Sequence, residues 1–326
     1  FGERALGFVR TVVLARLLLP DDFGLVGIAI TVAGALEAFT TSGLQAAIVQ
    51  RKDASRSVLD TAWSMMLVRG LFLSAVLAGS ASWIGAFYGE PAVATIIQFM
   101  ALNQILSGAS NIGLVLLQKE LDFKTRAAFD LTAGVLTTTV SIVAAITLRS
   151  YWALVIGELS GGLIRCVLSY RVHPYRPRFC WDRTIASDLF GFGKHILIFR
   201  MMDYLLISGD DLFVGKVIGH QELGYYLLAY QLSNLPATLI SRTVTGVLFP
   251  ALSKIQDDTV AVANGFSRTI KIVTFLSIPA GGWTALYAGP LTLIVFGEAW
   301  LPMVPAMQVL CVYGTLRSIG YMCGPL

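Results

Sequence analysis

Charge is scarce in this chain. Only 13% of its 326 residues are Asp, Glu, Lys or Arg, while 56% are hydrophobic, and the mean hydropathy is +0.71. That balance excludes an ordinary soluble domain, in which about a quarter of the residues are charged. Histidine is nearly absent, with three isolated residues. The four cysteines, Cys166, Cys180, Cys311 and Cys323, show no ligand spacing. Neither a metal site nor a disulfide framework is expected from them, and nothing in the sequence asks for a cofactor. The small net charge of +4 gives no reason to expect a nucleic-acid partner.

What fills the chain is apolar runs. Stretches long enough to cross about 30 Å of hydrocarbon as helices recur at roughly 1–19, 23–49, 58–85, 93–117, 127–148, 151–170, 189–214, 225–249, 268–294 and 303–323. The expected fold is therefore an all-α polytopic membrane protein with about ten helices. The chain opens at Phe1 without Met and stops just after an apolar run, so we expect a portion of a longer protein that lacks at least two helices.

Basic residues cluster in every second loop: Arg51, Lys52 and Arg56; Lys119, Lys124 and Arg126; Arg171, Arg176, Arg178 and Arg183; Lys254, Arg268 and Lys271. The intervening loops carry only Arg149 and Lys216. The positive-inside rule puts the basic loops and the N-terminal side in the cytoplasm. Membrane lipids are the expected immediate neighbours.

One loop is written twice. "RLLLPDDFGLVGIA" at 16–29 pairs with "KVIGHQELGYYLLA" at 216–229, aligning Asp22 with Glu222 and Gly24 with Gly224. "FYGEP" at 87–91 returns as "FGEAW" at 296–300 at nearly the same offset. The offset spans six helices, an even number, so the halves read as parallel six-helix repeats around a central cavity. Residues 1–170 form the expected N-terminal lobe, with its first helix incomplete. Residues 171–188 form a basic, proline-containing cytoplasmic linker, and 189–326 a truncated C-terminal lobe.

A bilayer rejects charge near its centre, where each charge costs several kcal/mol unless it faces protein or water. The seventh span nevertheless carries Arg200, Asp203, Ser208, Asp210 and Asp211, with Lys194 nearer its end. Positions 200, 203, 207 and 210 or 211 share one helical face. The second span has Glu37, Thr41 and Gln45 at i, i+4 and i+8, and the fourth has Asn103, Gln104, Ser107, Ser110 and Asn111. Arg10, Arg69, Arg165 and Arg242 add cations, set against Asp130 and Glu158. Each stripe taken separately reads as packing glue between helices. Together they describe a hydrated interior rich in arginine, whose planar fork suits phosphate oxygens.

In order and spacing, "LARLLLPDDFGLVGIA", "AAIVQRKD", "FYGEPAV", "LLQKELDFK", "YWALV", "DDLFVGKVIGHQELGYYLLAYQLSNLP", "VLFPALSKIQDD" and "FGEAWLP" resemble the polysaccharide transporter branch of the multidrug/oligosaccharidyl-lipid/polysaccharide (MOP) flippase superfamily. The resemblance implies a MATE-like pair of lobes that moves polyprenyl-diphosphate-linked sugars for exopolysaccharide or lipopolysaccharide synthesis. No catalytic residue is expected; a coupling ion (H+ or Na+) and other polysaccharide-assembly proteins are candidate partners, and the sequence does not say whether coupling exists. Arg10, Arg69, Lys194, Arg200 and Arg242 are the candidates for the diphosphate. Glu37, Asn103, Gln104, Asn111, Asp203 and Asp211 are the candidates for coupling or a polar cavity, Asp211 matching a family-typical acidic position just ahead of Gly215. A small-molecule antiporter on the same fold is the alternative. A membrane-embedded glycan polymerase or ligase ranks lower, because the loops near 20–23, 86–92, 149–151, 215–224 and 295–302 are too short to carry a catalytic outer segment.

Overall fold

The computed structural model describes residues 2–40, 43–50, 55–253 and 258–320, and every regular element among them is a helix. In chain order these are α1 (Gly2–Leu17), α2 (Pro20–Ala38), α3 (Leu44–Gln50), α4 (Arg56–Tyr88), α5 (Pro91–Ala109), α6 (Leu114–Lys119), α7 (Phe123–Leu148) and α8 (Trp152–Val172). Then come α9 (Arg183–Val217), α10 (His220–Ser253), α11 (Thr259–Leu286), α12 (Ala288–Val295), a 3-10 turn at Glu298–Met303, and α13 (Val304–Gly320). Each apolar run expected from the sequence contains helix among the described residues. Six of these, α4, α5, α7, α8, α11 and the turn with α13, are long and apolar enough to cross a membrane by length and composition. Their outward residues, among them Phe72, Trp83, Ile146, Leu163 and Phe275, are exposed, as a hydrocarbon solvent requires.

Three expected spans are broken. The run at 23–49 stops at Ala38 and restarts at Leu44, after Gly43 in a left-handed conformation with φ 58°. The run at 93–117 breaks at Ser110, where Asn111 folds its side-chain oxygen back onto the Gly113 amide at 2.8 Å. This local bond competes with helix continuation. The run at 268–294 breaks at Tyr287, between α11 and α12. Hydropathy averages over such breaks, because the polar residues there, Thr40 to Gly43 in the first and Ser110 and Asn111 in the second, are too few to lower the mean of a long window.

The described helices form two compact units, Phe1–Leu223 and Gly224–Leu326. In the first, α4 packs along α5, α7 along α8, α1 on α7, α5 on α8, and α9 on α2 and α4. Gly70 and Gly108 bring the α4 and α5 backbones into direct contact, the small-residue packing that membrane helices use where lipid supplies no hydrophobic drive. In the second unit α11 packs on α13. There the buried hydroxyls of Ser241, Ser277 and Ser318 meet: Ser318 Oγ lies 2.7 Å from Ser241 Oγ and 2.8 Å from Ser277 Oγ.

The doubled loop is doubled in structure. Leu17 ends α1 and Pro20 starts α2; two hundred residues later Val217 ends α9 and His220 starts α10. Asp22 accepts the Leu19 amide at 3.0 Å, the N-terminal capping expected of an acidic residue there. The shorter echo repeats a backbone feature, since Gly89 and Gly297 take φ of 77° and 103°, values that favour glycine.

Candidate functional site

Four helices of the first unit, α1, α5, α7 and α8, surround a cavity of about 400 Å³. Its polar lining includes Arg10, Asn103, Thr137, Glu158 and Arg165. Arg10 and Asn103, two of the candidates read from the sequence, are thus brought together. Arg10 Nη2 meets Glu158 Oε1 at 3.3 Å across the space from α1 to α8. The Arg10 Nε and the Asn103 Oδ1 are both buried without a hydrogen-bond partner in the protein. Both atoms lie beneath the cavity surface, Asn103 Oδ1 against the backbone of Gly162, so each is a buried polar group that the helix packing leaves unpaired.

A second ion-pair set closes one side of the cavity. Arg165 Nη2 reaches Glu3 at 2.6 Å and its Nη1 reaches Asp130 at 3.3 Å, while Arg126 Nε holds the other Asp130 oxygen at 3.1 Å. Arg165, one of the cations noted in the sequence, ties α8 to α1 and α7. Sequence reasoning missed Glu3 as a partner, because a carboxylate in the first turn of a helix reads as a dipole cap. The lining is charge-balanced, two arginines facing two carboxylates, rather than cationic. An anion that enters must exchange with Glu158 for Arg10.

The other candidates fall elsewhere. Arg69 in α4 lies by the end of α2, with Nη2 3.7 Å from Glu37 Oε1 and Nη1 3.5 Å from the Thr40 carbonyl oxygen. A cation at that helix C-terminus interacts favourably with the macrodipole. Gln104 is buried on α5, whose backbone at that residue touches Gly70 of α4. On α9, Arg200 is exposed and Asp203 half-buried, and among the described residues no ion pair joins them. Asp211 is half-buried beside Ser208 and Tyr204, and Tyr204 donates its hydroxyl to the Thr31 carbonyl of α2 at 2.5 Å. The expected polar stripe of this helix is split: Asp211 follows Tyr204 toward α2, while Arg200 and Asp210 are exposed. Lys194 and Arg242 sit in helices, but their side chains, like that of Gln45, lie outside the described residues.

Asn111 has a different neighbourhood from Asn103. Its amide nitrogen donates to the Tyr175 carbonyl at 2.7 Å and, at 3.4 Å, to that of His173. It thereby holds the extended segment between α8 and α9. The same segment is fastened to α4, where the buried carboxylate of Asp60 accepts the Tyr175 hydroxyl at 2.5 Å and the Arg178 amide at 2.8 Å. Ser64 accepts the Cys180 amide at 3.0 Å. Burial, then the Asp60 carboxylate, pushes the Tyr175 phenol well above its ordinary range. Burial likewise pushes the His173 imidazole down. The sequence marked this stretch as a linker and gave no sign that it is strapped down. An acidic residue inside the third apolar run, Asp60, was the available signal.

Comparison with known proteins decides the family. A family model described as "Polysaccharide biosynthesis protein" matches residues 13–305. The chain belongs to this family. It is 27% identical, over 98% of its length, to the lipopolysaccharide biosynthesis protein WzxC of Escherichia coli (strain K12), and spans 66% of that protein. It is 28% identical over 85% of its length to the teichuronic acid biosynthesis protein TuaB of Bacillus subtilis (strain 168), of which it spans 58%. It is 25% identical over 95% of its length to the succinoglycan biosynthesis transport protein ExoT of Rhizobium meliloti (strain 1021), of which it spans 63%. An inward-facing multidrug resistance MATE family transporter of the MOP superfamily superposes with a TM-score of 0.72 at 15% identity, covering 99% of this chain and 80% of that one. The fold is that of MOP transporters, and the protein is a multi-pass membrane protein.

Proposed function

We propose that this protein flips polyprenyl-diphosphate-linked oligosaccharide units from the cytoplasmic to the periplasmic leaflet of a bacterial inner membrane, for lipopolysaccharide or exopolysaccharide assembly. The family match over residues 13–305 carries this reading, with relatives named for three different glycans. The lobes 1–170 and 189–326, joined by the linker 171–188, rock in alternating access. A sugar diphosphate is too polar for hydrocarbon, so the protein lends its headgroup a wet, charged path while the lipid tail stays in the bilayer. Arg10 offers a bidentate edge to a phosphate oxygen, and Glu158 takes the guanidinium back when the phosphate leaves. Binding that differs between the two states is what makes such an exchange directional, and H+ or Na+ is the coupling ion of this scheme.

The test uses the full-length protein. Depletion should cause polyprenyl-diphosphate-linked oligosaccharide to accumulate on the cytoplasmic leaflet. Wild type should cure the accumulation, and Arg10→Ala and Arg200→Ala should each fail to. The balanced lining of the cavity, two arginines against two carboxylates, favours a second reading, a small-molecule antiporter. Depletion without lipid-linked accumulation, but with altered sensitivity to cationic compounds, selects that reading instead.

A further inference from the structure

Three turns of the first unit meet around one imidazole. His220, which opens α10, places Nε2 2.8 Å from Asp21 Oδ1 and Nδ1 3.3 Å from Glu90 Oε1. Asp21 stands in the first turn of α2 and Glu90 between α4 and α5. One side chain therefore bridges the two copies of the doubled loop and the first copy of the shorter echo. The backbones agree with this placement: a Cβ on Gly24 would overlap the carbonyl oxygen of His220. Nearby, the Lys216 ammonium donates to the Phe87 carbonyl and lies 4.5 Å from the centroid of its ring, and the Tyr88 hydroxyl reaches the Leu212 carbonyl at 3.5 Å.

The charged groups around the imidazole are Asp21 and Asp22 from α2, Glu90 from the α4–α5 turn, Glu222 from its own helix and Lys216 from α9. Asp22 is held by the Leu19 amide, and burial pushes its carboxyl up. Glu222 lies against Gly219, and Lys216 against Phe87. Among the described residues, Asp21 and Glu90 are the groups that pair with the ring.

A neutral imidazole has a single N–H. It can donate to one carboxylate, and its other nitrogen then turns a lone pair on the second. Carboxylate oxygens at both nitrogens therefore require one more proton, carried by the ring as imidazolium or by one of the carboxyls. We infer that Asp21, His220 and Glu90 form a proton-binding site that holds the three turns together when occupied and lets them part when the proton leaves. One proton enters from water and the same proton returns to it; the cluster's charge changes from −1 to −2, and no other bond is exchanged. All three side chains keep some solvent access, with exposures of 25%, 51% and 34% for His220, Asp21 and Glu90, so the site can equilibrate with bulk water. Imidazole is the side chain whose ordinary titration falls between about pH 5 and 8.

The inference joins the transport reading at one point, because parting of these turns is a step of alternating access. Its test needs no glycan. The full-length protein in lipid nanodiscs, with its native cysteines replaced, carries nitroxides at Leu19→Cys and Val217→Cys, both exposed positions. Pulsed dipolar spectroscopy at about pH 5.5 and about pH 8.5 brackets the imidazole range. The expected result is a shift from short to long distances as pH rises. His220→Gln should abolish the shift, and His220→Lys should keep the short distance at both pH values. Asp21→Asn and Glu90→Gln should each move the midpoint to lower pH, since each removes a carboxylate that favours the proton. An unshifted wild type, or an unchanged midpoint in both carboxylate variants, overturns the inference and leaves the flippase reading standing. Failure of the depletion experiment leaves this site untouched.

Discussion

Arg10 and Glu158 are 148 positions apart and form an ion pair at 3.3 Å across the cavity of the first unit. The Nη2 of Arg10 is held by Glu158 while its buried Nε has no partner, so an anion that engages this guanidinium must displace Glu158. Binding and structural roles for this pair separate by direction. Removing either partner should cost stability by about 1–2 kcal/mol, below the figure for a fully buried pair because both side chains keep solvent access. Thermal unfolding in detergent measures this. If Arg10 binds an anion, Arg10→Met should lose transport altogether while Glu158→Gln keeps it. Equal loss of transport in both variants assigns the pair to scaffolding.

The strap over α4 should loosen in alkali. The Tyr175 phenol is raised by burial and by Asp60 above its ordinary value of about 10. A group whose folded pKa is raised contributes stability below its unfolded pKa and loses it as pH rises through the folded one. A nitroxide on Cys180, the neighbour whose amide is tied to Ser64, should therefore stay immobile up to about pH 10 and gain mobility above it. Tyr175→Phe should remove that alkaline transition. It should also raise mobility at neutral pH, because Asp60 loses a charge-assisted bond of about 1.5–3 kcal/mol. A transition that persists in Tyr175→Phe sinks the assignment.

Arg69 should behave as a helix cap. It faces Glu37 and the Thr40 carbonyl where α2 ends. Arg69→Met should lower thermal stability by about 1 kcal/mol or more. Adding Glu37→Gln should cost less than the sum of the two single variants, because they share one interaction. Strict additivity in that cycle shows that Arg69 acts elsewhere.

Apolar length alone made the ten long helices legible, with ends several residues out, and the echo of residues 16–29 at 216–229 corresponds to two turns 200 residues apart: Leu17 and Val217 end helices, Pro20 and His220 begin them. Charge inside an apolar run found Arg10 and polar periodicity found Asn103, and the two do share a cavity. What neither could supply was partners. Helical spacing fixes the face on which a residue lies, but the neighbour across that face comes from a helix at any distance along the chain, as Glu158 does for Arg10. The same limit hid the strap, since Asn111 resembles Asn103 in sequence while its hydrogen bonds go to the segment between α8 and α9. The breaks at Gly43 and Asn111 were hidden for a different reason: each depends on the conformation of one or two residues in a short polar interruption that the flanking apolar residues outweigh.

Gly24 offers the sharpest test of how closely the paired turns approach. Its Cα faces the backbone of His220, and an added Cβ meets a carbonyl oxygen rather than the movable end of a side chain. Gly24→Ala can be accommodated only if the α1–α2 and α9–α10 turns separate, at a cost of about 1–3 kcal/mol by analogy with overpacked cores. The nitroxide pair at positions 19 and 217 should then report the long distance even in acid, where the proton site is occupied. Gly79, with open space around it, is the control: Gly79→Ala should leave the distance unchanged and, as an alanine inside a helix, stabilise slightly. A short acidic distance in Gly24→Ala shows that the turns yield without parting, and that the contact seen here does not hold them in register.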